Sequence, residues 1–564
     1  MLPLETFTQI LAPIAGSVYV SALVAAIPLV VLFVLLGVFK APAWISSLAT
    51  LVACVILAIA GWQMPVGMAL SVTAEGIFFG AAQIMWLLMA ALWLYNLTVK
   101  MGWDRVLRDL MGGISTDLRV LSILIAFGFG ALIEGIAGFG TPVAITAAML
   151  AAMGVPKIKA AALCLLANTA PVAFGSVGAP ITALGNSASA VGGPGMFDPA
   201  YLSMIFGQMA GRQSPFMAIF VPLLLLVMVD GKRGLKDAWH IGLIAGFSFA
   251  IAQFVAANYI SYMVTDVISA GVMLLVTIVA LRWVKPKNLV EADIVQEEEH
   301  ELLPAQLATG GARVWGAVAP YAIIISIFGI SQIPPIKAVL SQITYIFPWP
   351  GLEECKNAAG TAPCVTVNIN LYSVLSTGVY LAIAALITTA VYRMKLSDSL
   401  AVFRHTVYTL RYTIITIGSV LGVAYVMNAS GMTISLGTAL ASAGAAFAFV
   451  SPILGWLGVA ITGSDTSANA LFGGMQVAAA QAVWPGSIQH EVLMASSNST
   501  GGVMGKMISP QSLAVGIAAA GLMNQEGILF RKLIGWSIAM VLVFGLLVLA
   551  QSTVFLWMVP IPGA

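Results

Sequence analysis

Two polar, glycine-rich interruptions break otherwise apolar sequence, and they recur one repeat length apart. The first opens as Glu134-Gly-Ile-Ala-Gly-Phe-Gly-Thr-Pro142 and resumes at Asn168-Thr-Ala-Pro-Val-Ala-Phe-Gly175, running on to Pro180. The second opens as Gly463-Ser-Asp-Thr-Ser-Ala-Asn469 and resumes at Asn498-Ser-Thr-Gly-Gly-Val-Met-Gly-Lys506, running on to Pro510. A shift of 330 residues superposes Asn168 on Asn498, Thr169 on Ser499, Gly175 on Gly505 and Pro180 on Pro510. Broken polar helices at corresponding places in two halves are the strongest sequence pointer to a transporter's binding site.

The surrounding sequence demands a lipid solvent. Hydrophobic residues make up 60% and charged residues 8% of the chain, against roughly 25% charged in a soluble domain. A net charge of +2 gives no reason to expect a nucleic acid partner. The opening MLPLETFTQI lacks the basic start of a signal peptide, and its apolar stretch runs to Phe39, so it reads as an uncleaved first span. Apolar runs near 13–39, 43–61, 78–98, 118–133, 214–230, 239–260 and 263–284 predict further helices, as do 313–334, 373–393, 409–429, 444–462 and 533–558. The expected fold is an all-α polytopic membrane protein with about 12–14 transmembrane segments.

Shifting the spans at 43, 78, 118 and 214 by 330 residues lands on those at 373, 409, 444 and 533–558. This predicts a first repeat over 1–230 with its broken region at 134–185, and a second over 313–564 with its broken region at 463–524. A connecting span pair and linker occupy 231–312. Basic residues set direction, because cytoplasmic loops are enriched in Lys and Arg. None precedes Lys40, whereas Lys100, Arg105, Arg108, Lys232, Arg233, Lys236, Arg393, Lys395, Arg404, Arg531 and Lys532 fall in loops that share the cytoplasm if both termini face outward. The charge-free turn at Gln63 corresponds to the basic loop at Arg393, which implies opposite orientation of the two halves, an inverted repeat. The acidic run Glu297–Glu301 then reads as a cytoplasmic linker, and the loop 335–372 as external. Cys355 and Cys364 in that loop are either a disulfide or two free thiols. Cys54 and Cys164, in apolar sequence, read as packing residues.

Ionisable groups inside spans are costly and by default functional. Glu134 opens the first break and Asp465 stands in the second, one residue out of the 330 register. A buried carboxylate beside unwound backbone suits proton carriage; Asp465 equally suits a helix cap. Lys506 is the only Lys or Arg between Arg411 and Arg531, placed to neutralise an anionic substrate or to bridge to Asp465. Arg212 reads as an interface anchor, and His490 with Glu491 as a loop end. Asn168, Thr169, Gly175, Ser464, Thr466, Asn469, Asn498, Ser499 and Thr500 offer uncharged donors, acceptors or close backbone at the two tips. Half-helix N-termini expose unpaired amides suited to a carboxylate. Those polar residues serve either as ligands or only to satisfy broken backbone. The four histidines are scattered, and no nucleophile–base pair or metal spacing argues for an enzyme, so no cofactor or metal is expected.

At these residues the chain resembles the L-lactate permease family. The matching segments are Glu134-Gly-Ile-Ala-Gly-Phe-Gly-Thr-Pro-Val-Ala-Ile-Thr146, Asn168-Thr-Ala-Pro-Val-Ala-Phe-Gly175, Thr462-Gly-Ser-Asp-Thr-Ser467, Thr500-Gly-Gly-Val503 and Gly505-Lys-Met-Ile-Ser-Pro-Gln-Ser512. Gly455-Trp-Leu-Gly-Val459, Gly211-Arg-Gln213 and Pro215-Phe-Met217 also fit. The resemblance implies symport of L-lactate and related 2-hydroxymonocarboxylates, D-lactate and glycolate, with protons across a bacterial cytoplasmic membrane. It implies a small monocarboxylate, a proton and the bilayer as partners, and leaves a homodimer open. Thr141 stands where an Ala is usual, and the Cys-bearing loop looks particular to this chain. The competing readings are a sodium-coupled transporter of another small carboxylate and a small-anion channel.

Overall fold

The computed structural model describes residues 6–561 except 40, 104–105, 107–113, 139, 190, 192–197, 291–309, 332, 344, 357–363, 365–367, 521 and 523–524. Arg105, Arg108 and the Glu297–Glu301 linker lie outside the described residues.

Helix dominates because no other open structure satisfies its own backbone in lipid. Eight helices among the described residues are long and apolar enough to cross a membrane, and Lys157–Ala167 with Val172–Ser189 forms a pair bent by 64°. Shorter apolar helices include Val66–Ala82, Thr141–Ala151, Thr265–Ala280 and Gly378–Val391. The chain is a multi-pass α-helical membrane protein. Two expected spans, 214–230 and 239–260, belong to one element, Pro199–Val255, folded sharply at Asp230 and Gly231, where Gly231 takes φ 60° and ψ −145°. The loop expected there is a hairpin corner.

Helix Ala43–Ala60 turns into Val66–Phe79, and Leu371–Val391 turns into Leu396–Ser430. The two turns pivot on non-glycine residues in the left-handed region, Gln63 at φ 57° and Arg393 at φ 53°, which are 330 residues apart. Arg119 is fully buried, bonding Asp117 Oδ2 at 2.7 Å and the carbonyl of Lys287 at 2.8 Å, while Trp103 stacks on Tyr392 with centroids 5.6 Å apart. Strand Phe7–Thr8 pairs with Cys355–Lys356, and Cys355 is joined to Cys364 by a disulfide.

Two buried apolar clusters form among the described residues. One holds the N-terminal helices together with Leu410–Leu436, the other the span Leu118–Ile136, both legs of the long hairpin and the C-terminal helix. Ile417 belongs to the first and Val172 to the second, and both line one cavity where the clusters meet. The broken regions point into this seam.

Candidate functional site

Span Leu118–Ile136 loosens into a π-helical stretch at Ile123–Phe129, tightens to α-helix, and ends just past Glu134. Chain reversal follows at Gly138 (φ 46°) and Gly140 (φ 85°), conformations that a side chain disfavours. Pro142 then sits in the first turn of Thr141–Ala152, where its missing N–H costs nothing. Glu134 therefore occupies a last helical turn, one element earlier than the sequence places it. It is 2% exposed. Its Oε1 accepts from Lys506 Nζ at 3.0 Å, and its Oε2 accepts from Asn168 Nδ2 at 2.8 Å. A Cβ on Gly175 would lie 2.5 Å from that Oε1, so the second half of the first break reaches the carboxylate only as glycine.

In the second break Gly463 ends helix Phe447–Thr462, and the Ser464 side chain caps helix Asp465–Val483 by accepting from the Ser467 amide. The capping role weighed for Asp465 thus falls to its neighbour. Asp465 Oδ2 accepts from Ser499 Oγ at 2.7 Å and from Asn469 Nδ2 at 3.3 Å. Its Oδ1 is buried without a hydrogen-bond partner, in space kept open by the absent Cβ of Gly502. Lys506, considered above as a bridge to Asp465, pairs instead with Glu134 across 372 residues.

These groups surround a cavity of about 210 Å³, the liquid volume of roughly seven waters. Glu134, Gly175 and Ser176 line it from the first region, and Ser464, Asp465, Thr466 and Lys506 from the second. Trp44 and Tyr412, stacked at 5.5 Å, form one wall.

The remaining polar candidates stand behind this lining. Asn168 holds Glu134, and Ser499 and Asn469 hold Asp465. Asn469 Nδ2 also donates to the Pro180 carbonyl at 3.0 Å, tying the two broken regions together, while Asn498 donates to Asn469 Oδ1 at 2.9 Å. Thr169 donates to the Leu166 carbonyl, and Thr500 to Gln213 Oε1 at 2.8 Å. Arg212 bonds Asn258 and the Met558 carbonyl. His490 opens helix Ile488–Lys506, stacked on Trp484, rather than ending a loop.

Residues outside the sequence-predicted set also line the cavity, among them Ser176, Thr462, Gln511 and Ser512. Gln511 and Ser512 sit inside the Lys506–Ser512 motif and were readable there. Ser176 was not: it and Val177 adopt left-handed backbone ahead of Gly178, a strained arrangement for a β-branched residue. Asp266, within an expected span, is 1% exposed with neither carboxylate oxygen hydrogen-bonded, and it packs against Gly135 beside Glu134.

The sequence profile of the family described as L-lactate permease matches residues 21–555. An L-lactate permease of Bacillus subtilis is 38% identical, covering 98% of this chain and 100% of its own length. The glycolate permease GlcA of Escherichia coli is 37% identical, covering 98% and 99%. An L-lactate permease of Escherichia coli is 36% identical, covering 97% and 98%.

Proposed function

This chain belongs to the L-lactate permease family, and on that premise we propose that it carries L-lactate and related 2-hydroxymonocarboxylates, D-lactate and glycolate, in symport with a proton. It is a transporter and not an enzyme, with a small monocarboxylate as substrate. Two halves, 1–230 and 313–564, joined through 231–312, expose the cavity to each side of the bacterial cytoplasmic membrane in turn.

One observation carries the coupling: among the described residues the cavity offers a single ammonium, Lys506, and Glu134 already holds it at 3.0 Å. A substrate carboxylate that takes Lys506 leaves Glu134 without its cation. An uncompensated buried charge costs about 3–5 kcal/mol, more than a hundredfold in population. A proton on Glu134 removes that cost, so anion and proton enter together. Asp465, which lines the same cavity and has one buried carboxylate oxygen without a hydrogen-bond partner, is the second place a proton can reside. The substrate carboxylate sits between the tips near Gly175, Ser464 and Thr466, while Asn168, Thr169, Asn469, Asn498, Ser499 and Thr500 hold the tips in shape.

Proteoliposomes with an imposed pH gradient test this. Wild-type protein accumulates L-lactate uphill. Glu134→Gln loses gradient-driven accumulation but still exchanges labelled for unlabelled lactate, because a neutral amide cannot gain or lose the proton. Uptake indifferent to the pH gradient and abolished when choline replaces sodium at constant pH would replace proton with sodium coupling.

A further inference from the structure

A second cavity of about 740 Å³ adjoins the first. Helix Trp86–Met101 contributes Asn96 and Lys100, and helix Leu396–Ser430 contributes His405 and Thr409. Thr413 and Gln511 line both cavities and so form the wall between them. Thr141, singled out above in the first break, lines this outer cavity and not the central one. Lys100 and His405 are exposed, and no acidic side chain lines the cavity among the described residues. Asn96 Nδ2 donates to Thr406 Oγ1 at 2.8 Å, fixing the two walls against each other.

We infer that this second cavity is a collecting vestibule for the small monocarboxylate, opening on the membrane face that carries the basic loops, with Thr413 and Gln511 as the constriction into the central cavity. The inference rests on the transport reading above. A low-dielectric cleft lined with one sign of charge concentrates the opposite ion, and Lys100 is a fixed positive charge at its mouth. Polar neutral groups carry the anion inward: Thr409 and Thr141 offer hydroxyls and Gln511 an amide, and among the described residues no carboxylate lines the outer cavity to repel it. A vestibule acts on arrival and departure at one face only, whereas the central site acts on both.

The test compares L-lactate kinetics from each face in oriented vesicles bearing wild type, Lys100→Gln or His405→Gln. Lys100→Gln raises the half-saturating concentration roughly three- to tenfold from the basic face and leaves the opposite face within about twofold. Maximal rates compensate, because the gradients alone fix the overall equilibrium. High salt shrinks the wild-type advantage. An equal change from both faces, or none from either, overturns the vestibule. Should wild type fail to move L-lactate, the transport reading fails, and a charge probe still decides the vestibule. A cysteine introduced as Thr409→Cys reacts faster with an anionic than with a cationic thiol reagent, and Lys100→Gln removes that preference. Unchanged preference overturns the positive vestibule.

Discussion

Lys506 was conspicuous in the sequence because it is the lone cation of a long stretch, yet its partner was not legible. The sequence offers an anionic substrate or a bridge to Asp465, whereas the ion pair forms with Glu134. Pairing depends on how far each half-helix is rotated about its axis, and a one-residue offset turns a side chain by about 100°. Gly175 exposes the tolerance of this arrangement. Its φ of −59° is open to any residue, so only space forbids a side chain there. With both Glu134 oxygens already held, Gly175→Ala has to push the carboxylate off Lys506 or Asn168. We expect transport to fall roughly tenfold or more, with a stability loss of about 1–3 kcal/mol typical of overpacking. Initial uptake rates with thermal melting of the purified protein check both. Full activity in a folded Gly175→Ala protein would show that the ion pair is not needed in this geometry.

At the scale of elements, the breaks were legible to within a few residues because glycine and proline announce them. Their inner edges were not. The sequence placed Glu134 at the start of unwound chain, but the helix continues through Ile136 before Gly138 and Gly140 reverse it. The left-handed backbone at Ser176 and Val177 has no propensity signal at all, since tertiary contacts impose it. The sequence reads Ser464 as a substrate ligand and weighs the cap for Asp465, and the structure gives Ser464 the cap bond together with a place on the cavity wall. The two roles separate by substitution. Ser464→Ala should cost about 1 kcal/mol through the lost cap. Ser464→Asn restores capping, so it returns the melting temperature to near wild type. If the hydroxyl also contacts substrate, Ser464→Asn keeps a raised half-saturating concentration for L-lactate. If both properties recover together, capping is the whole of its work.

For the whole molecule the decisive question is which way each half faces. Helix Leu396–Ser430 spans about 52 Å at 1.5 Å per residue, longer than a hydrocarbon core of about 30 Å. It begins beside the exposed Arg393 and Lys395, and in its last turn the Asn428 carbonyl accepts from Gln9 of the N-terminal segment at 2.7 Å. The N-terminal strand, in turn, pairs with the disulfide loop. That loop also touches helix Val66–Phe79, where Trp349 Nε1 donates to the Ser71 carbonyl at 3.1 Å. The Gln63 turn thus lies toward the Cys-bearing loop, while its counterpart at Arg393 lies with the basic loops. We propose an external disulfide and a cytoplasmic basic face, on the charge bias of membrane loops and on where disulfides persist. Residues in equivalent turns should then be reachable from opposite sides of the membrane. Gln63 and Arg393 are both exposed, and the native free thiols Cys54 and Cys164 are buried, so labelling starts from a low background. An impermeant thiol reagent applied outside intact cells should modify Gln63→Cys and not Arg393→Cys, and everted vesicles should give the reverse. Thr8→Cys on the N-terminal strand should follow Gln63→Cys. Labelling of both turns from one side would place the halves parallel, and the alternating-access reading built on an inverted pair would fall with it.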